Sequence, residues 1–199
     1  MERFKEIDIL KGIGIILMIM GHQYYGICFD KWIHAFHMPM FFLIAGFLYK
    51  KPADLKKYFY KKIITLLVPY VSFATFHFII ICLKEVLGEK NIIGLILHVY
   101  HIFTINTEGL PICGAIWFLT ALFFSTLIYA FIDVKVSNTI AKIFIIAILS
   151  MIGMVFPQFG NRMPLSLDIS LVGLIFVFVG RMFKKIYTNF LVKNMRFLA

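Results

Sequence analysis

The chain is written as long apolar runs parted by short polar breaks. The runs lie at about 9 to 27, 34 to 49, 63 to 83, 92 to 105, 114 to 132, 140 to 157 and 166 to 183. One of them, IITLLVPYVSFATFHFIIICL at 63 to 83, has the roughly 20 residues that a helix needs to cross a hydrocarbon core of about 30 Å. The pattern predicts an all-α, polytopic transmembrane helix bundle. The run at 92 to 105, IIGLILHVYHIFTI, is too short for a comfortable span. Counting it as one would also put Lys135, Lys142, Arg181, Lys184 and Lys185 on the outer side, against the tendency of basic residues to stay on the cytoplasmic side. Six spanning helices plus one re-entrant or interfacial segment are therefore expected. Both chain ends then lie in the cytoplasm, and His98 and His101 lie near the outer face. KKPADLKKYFYKK, at 50 to 62, reads as a cytoplasmic loop, and PQFGNRMP, at 157 to 164, as an outer turn built on proline, glycine and asparagine. No internal repeat or linker divides the chain, so residues 1 to 199 are expected to form a single membrane domain.

Composition agrees. A soluble chain of 199 residues could not hide a 61% hydrophobic content and a mean hydropathy of +0.91, because some of every small globule faces water. The net charge of +10 would suggest nucleic acid in a soluble protein. Here the lysines and arginines gather in the breaks between apolar runs, which is the signature of cytoplasmic loops facing membrane lipids. No nucleic-acid partner is expected. Cys28, Cys82 and Cys113 show no metal spacing and read as free thiols. The N-terminus mixes acidic residues into its charged region and lacks a small-x-small cleavage site, so it reads as a retained first helix with a cytoplasmic N-terminus.

The chemistry begins in KGIGIILMIMGHQ, at 11 to 23. On a helix, Lys11 and His22 are separated by three turns plus about 20°, so they share one face about 16 Å apart. Asp8, three residues before Lys11, stands on the same stripe and can pair with it. Gly12, Gly14 and Gly21 allow close approach of neighbouring groups. The next run adds His34 and His37 at its outer end, then a proline and an expected small-residue kink at Ala45–Gly46. Three imidazoles at one membrane level suit proton transfer or metal binding. No carboxylate or cysteine joins them at ligand spacing, so proton chemistry is preferred and no metal is assigned. The same intramembrane lysine and histidines would also serve a proton-coupled transporter, and a non-catalytic accessory subunit stays open.

DILKGIGIILMIMGH followed by FHMPMFFLIAGFLYKK resembles the integral-membrane acyltransferase-3 family, in the form of its fucose 4-O-acetylase-like branch. The family carries a basic residue, ten residues and a histidine in its first helix; here these are Lys11 and His22. FFLIAGF at 41 to 47, GAIWFLTALFF at 114 to 124 and DISLVGLIFVFVGRMFKK at 168 to 185 resemble later family segments, in the family's order. Before Pro69–Tyr70 the family commonly has two basic residues spaced three apart; Lys61 and Lys62 are kept, and Thr65 stands at the second position. The family usually has about ten helices, so the chain is expected to correspond to the first part of a longer domain, incomplete at its C-terminus.

The resemblance implies an O-acyltransferase that moves an acetyl or other acyl group from cytoplasmic acyl-CoA, usually acetyl-CoA, to a hydroxyl of a cell-envelope glycan or lipid-linked sugar. An alcohol needs a base as it attacks a thioester. His22 is the expected base, and His37 the second choice, as its partner or as an acceptor-binding residue. Lys11, Lys61 and Lys62 are expected to meet the donor's phosphates, and His34 and Trp117 to contact the acceptor. The enzyme is expected in the cell membrane.

Overall fold

The computed structural model describes residues 4–21, 23, 26–88, 92–104, 114–160 and 162–197. Among them the regular structure is entirely helical: α1 Lys5–Gly21, α2 Ile27–Leu48, α3 Leu55–Lys62, α4 Val68–Leu87, α5 Ile92–Phe103, α6 Trp117–Lys135, α7 Thr139–Val155 and α8 Leu167–Phe197. Among the described residues, five stretches are long and apolar enough to cross a membrane: Lys31–Leu48, Leu55–Lys84, Trp117–Lys135, Thr139–Phe159 and Pro164–Thr188. The 17 residues of α1 reach about 26 Å, the short edge of spanning length. The 12 of α5 reach only about 18 Å, too little to cross. The surface is apolar along the long helices, as on α4, where Val71, Phe73, Phe76, Ile79 and Leu83 are exposed. Such a surface suits lipid and not water. The protein is a multi-pass membrane protein.

The segment read as a cytoplasmic loop is corrected in its second half. Asp54 accepts bonds from the backbone N–H groups of Lys56 and Lys57, which caps a helix start. From there α3 runs through a π-helical turn, Ile63–Leu67, directly into α4. Two local features favour the wider turn. Pro69 has no N–H to offer the carbonyl four residues back, and Thr65 turns its hydroxyl onto the Lys61 carbonyl at 2.9 Å. At the expected small-residue kink, Ala45–Gly46, α2 runs on as helix to Leu48.

By its contacts the chain divides into two compact units, Met1–Lys50 with Ile175–Ala199, and Lys51–Leu174. In the first, Gly14 is buried beside Met40 and Phe41, while Gly21 lies beside Ile33. Residues late in α1 thus meet residues early in α2, the register of an antiparallel hairpin. The later half of α8 crosses α2 backbone to backbone. A methyl at Gly46 would run into the Val177 carbonyl, and one at Gly180 into that of Leu43. Gly46 is therefore a residue of close helix-helix contact.

The second unit is joined by polar stitches of the kind that hold helices together in lipid. Ser125 on α6 donates to the Ser170 carbonyl at 2.6 Å, and Ser150 on α7 to that of Leu171 at 2.8 Å. The Tyr70 hydroxyl on α4 donates to the Ile102 carbonyl on α5. Asp133 and Lys142 form an ion pair across the α6–α7 turn. The outer turn expected around 157 to 164 contains Gly160 in the left-handed region at φ 80°. After it, Arg162 Nε stands 3.0 Å from the buried Asp168 carboxylate.

Candidate active site

Lys11 faces the residue that its spacing suggests: its Nζ is 3.5 Å from Asp8 Oδ1, with both side chains 39% exposed. Near the other end of α1, Gly21 packs on α2. A methyl at Gly21 would stand 2.9 Å from Ile33, 3.5 Å from the His34 ring and 3.7 Å from the His37 ring. The glycine thus lets the end of α1 close on Ile33, with the two imidazoles at ordinary contact distance from it. His22, the next residue, lies outside the described residues.

The two rings of α2 touch edge to face, with centroids 5.4 Å apart. They differ in setting. His34 is exposed, whereas His37 is buried, with 4% of its surface accessible. His37 Nδ1 lies 2.6 Å from the Ile33 carbonyl. A carbonyl only accepts, so Nδ1 carries the proton and Nε2 becomes the basic nitrogen of the neutral ring. A buried imidazole oriented in this way is suited to taking and returning a proton.

In the second unit, Lys61 is exposed on α3, and Lys62 lies over the Tyr58 ring, 5.4 Å from its centroid. Trp117 is half-buried at the start of α6, edge-on to Phe118 at 6.2 Å. Among the described residues, no three His, Cys, Asp or Glu side chains converge as a metal site. Cys28 and Cys82 are free thiols, the first of them exposed; Cys113 lies outside the described residues.

The unit also holds a histidine that sequence reasoning passed over. His77 on α4 is fully buried, and neither ring nitrogen has a hydrogen-bond partner among the described residues. Its ring lies 4.8 Å from that of His98 on α5. The signal was present, since a histidine inside a spanning run is a functional candidate by default. Its pairing with His98 depends on the fold and could not be read from spacing.

Lipid-facing helices of membrane-spanning length, with an oriented buried imidazole on a helix hairpin, define a multi-pass membrane protein with a histidine cluster. Residues 4–199 match the model of the acyltransferase-3 family, described as an acyltransferase domain, and the chain belongs to that family. It is a membrane acyltransferase. No curated protein and no solved structure matches it.

Proposed function

We propose that the protein is an O-acyltransferase that moves an acetyl group from cytoplasmic acetyl-CoA to a hydroxyl of a cell-envelope glycan or its lipid-linked precursor. The observation that carries this reading is the packing of Gly21 on the His34–His37 pair, which brings the chain leading into His22 to a second, oriented imidazole. His22 acts as the base. It takes the proton of the acceptor hydroxyl as the oxygen attacks the thioester carbonyl. The tetrahedral intermediate then expels CoA as a thiolate, which receives the proton. His37 supports His22 or binds the acceptor, and His34 and Trp117 contact the sugar.

Lys11 is a donor residue in this reading, at the inner end of α1 where the nucleotide part of CoA stays. An ammonium attracts phosphate as a point charge, and Asp8 partners it while the site is empty. Lys61 and Lys62 supply the same chemistry, each proposed on its own. Lys11→Ala is expected to raise the Michaelis constant for acetyl-CoA about tenfold, as for loss of one charge-assisted contact, with little change for the glycan. Lys11→Arg retains most of the function. Initial rates with each substrate varied in turn check this; weakened glycan use at an unchanged donor constant would remove Lys11 from the donor site.

The orientation has its own test. With 92 to 105 not crossing, cysteines placed at Lys90 and Asn106 in a cysteine-free background both react with an impermeant thiol reagent added outside. Labelling of only one would mean that the segment crosses. Acyl transfer itself is tested by incubating membranes that contain the chain with labelled acetyl-CoA and envelope glycans.

A further inference from the structure

Arg181 and Lys184 stand one turn apart on α8 and reach back to the same backbone atom at the end of α2. Arg181 Nη1 donates to the Tyr49 carbonyl at 3.1 Å, and Lys184 Nζ approaches it at 3.5 Å. The guanidinium also lies over the Tyr49 ring, 5.6 Å from its centroid. Lys50 is exposed and within electrostatic reach of Lys184. Among the described residues none of these three cations is in an ion pair; the carboxylate pairs belong to Asp8, Asp133 and Asp168.

Capping accounts for only part of this arrangement. The end of a helix carries about half a negative charge, and three full positive charges gather around it. Arg181 uses one of its five N–H groups on the carbonyl. A surplus of donors and charge of this kind is suited to an anion with several acceptor oxygens.

Beside the cations lies a groove of about 270 Å³, lined by Ile7 and Leu10 of α1, Leu43 and Phe47 of α2, and Phe183 and Tyr187 of α8. The groove and the cations lie by the end of α2, whose apolar stretch stops at Leu48, while that of α8 runs on to Thr188. A basic pocket between helices is the form that sites for acidic lipid headgroups take.

We infer that Arg181, Lys184 and Lys50 bind the phosphate of an anionic phospholipid whose acyl chain lies in the groove between α1, α2 and α8. The site is independent of the acyl-transfer chemistry and does not rest on it. The complementarity of charge with phosphate, next to an apolar seat of the same three helices, selects a lipid over a free phosphate compound. The lipid fastens α1 and α8 to α2 at the end where no described carboxylate neutralises the cations.

The test uses the full chain reconstituted in vesicles of equal parts phosphatidylglycerol and phosphatidylcholine, extracted into mild detergent, with the retained phospholipid measured by mass spectrometry. The wild-type chain is expected to retain phosphatidylglycerol over phosphatidylcholine. Each cation at a membrane surface contributes about fivefold in affinity, so the double substitution Arg181→Gln/Lys184→Gln lowers that preference about thirtyfold. Because those two residues also cap α2, Lys50→Gln is the second variant; its exposed side chain has no capping role, and it lowers the preference about fivefold. Exchanging Arg181→Lys and Lys184→Arg keeps the preference, and Leu10→Trp, which fills the groove, lowers retention with all charges in place. Equal retention of the two lipids by the wild type would overturn the proposal. So would unchanged retention in both glutamine variants, or displacement of the lipid by CoA or inorganic pyrophosphate, which would assign the cations to a free phosphate ligand.

Discussion

Alanine at Gly46 or at Gly180 is expected to destabilise the protein by about 3 kcal/mol, the upper end of the range for overpacking. The added methyl in each case meets a backbone carbonyl of the partner helix. A flexible side chain could swing aside, but a backbone can yield only if α2 and α8 separate. Separation would also draw Arg181 and Lys184 away from the Tyr49 carbonyl. Gly12→Ala is the internal control, because nothing lies within 4 Å of the position its methyl would take. There alanine restores helix propensity, worth up to about 1 kcal/mol, and the variant is expected to be as stable as the wild type or more so. Thermal unfolding of the three variants in detergent checks the ordering. Equal midpoints for Gly46→Ala and Gly12→Ala would mean that α2 and α8 do not cross at these residues.

Loss of either imidazole proposed to handle the proton, that of His22 or of His37, is the second large expected effect. His22→Ala is expected to lower acyl transfer about a hundredfold to ten-thousandfold, the usual contribution of a positioned general base. The protein should still insert in the membrane. His37→Ala removes the ring held against Ile33, the proposed partner of His22, and is expected to lower transfer within the same range. His34 is exposed on the same helix; with the proposed role of contacting the acceptor, His34→Ala is expected to raise the Michaelis constant for the glycan more than it lowers turnover. Added imidazole should restore part of the activity of His22→Ala, which a merely structural histidine would not allow. Steady-state rates with and without imidazole separate these outcomes.

Much of the architecture was legible because lipid enforces a simple rule: backbone groups must bond within their own helix, so spans appear as uninterrupted apolar runs. Five of the runs correspond to membrane-length helices, and the short run became the short helix α5. The sequence reading failed where a helix is polar. α3 carries four lysines in eight residues and so looked like a loop, although lysine is a good helix former and Asp54 stands at the N-cap. It also did not reveal the close contact of Gly46, whose partner Val177 is distant along the chain. A small residue reads alike whether it bends a helix or admits another one. The Asp8–Lys11 stripe followed from helical spacing alone, and the neighbourhood of His34 and His37 from their place at the start of one run. The His77–His98 contact and the cations around Tyr49 needed the tertiary fold, because each joins helices that sequence spacing cannot relate.

The decisive measurement is transfer of radiolabel from acetyl-CoA to envelope glycan in vesicles carrying the wild-type chain or its His22→Ala variant, matched for the amount of folded protein. A histidine-driven O-acyltransferase places label in alkali-labile ester linkage on the glycan with the wild type, and His22→Ala lowers that label at least a hundredfold. Equal labelling by the two proteins would contradict the assignment of His22 as the base, and so would label that enters the glycan in an alkali-stable linkage.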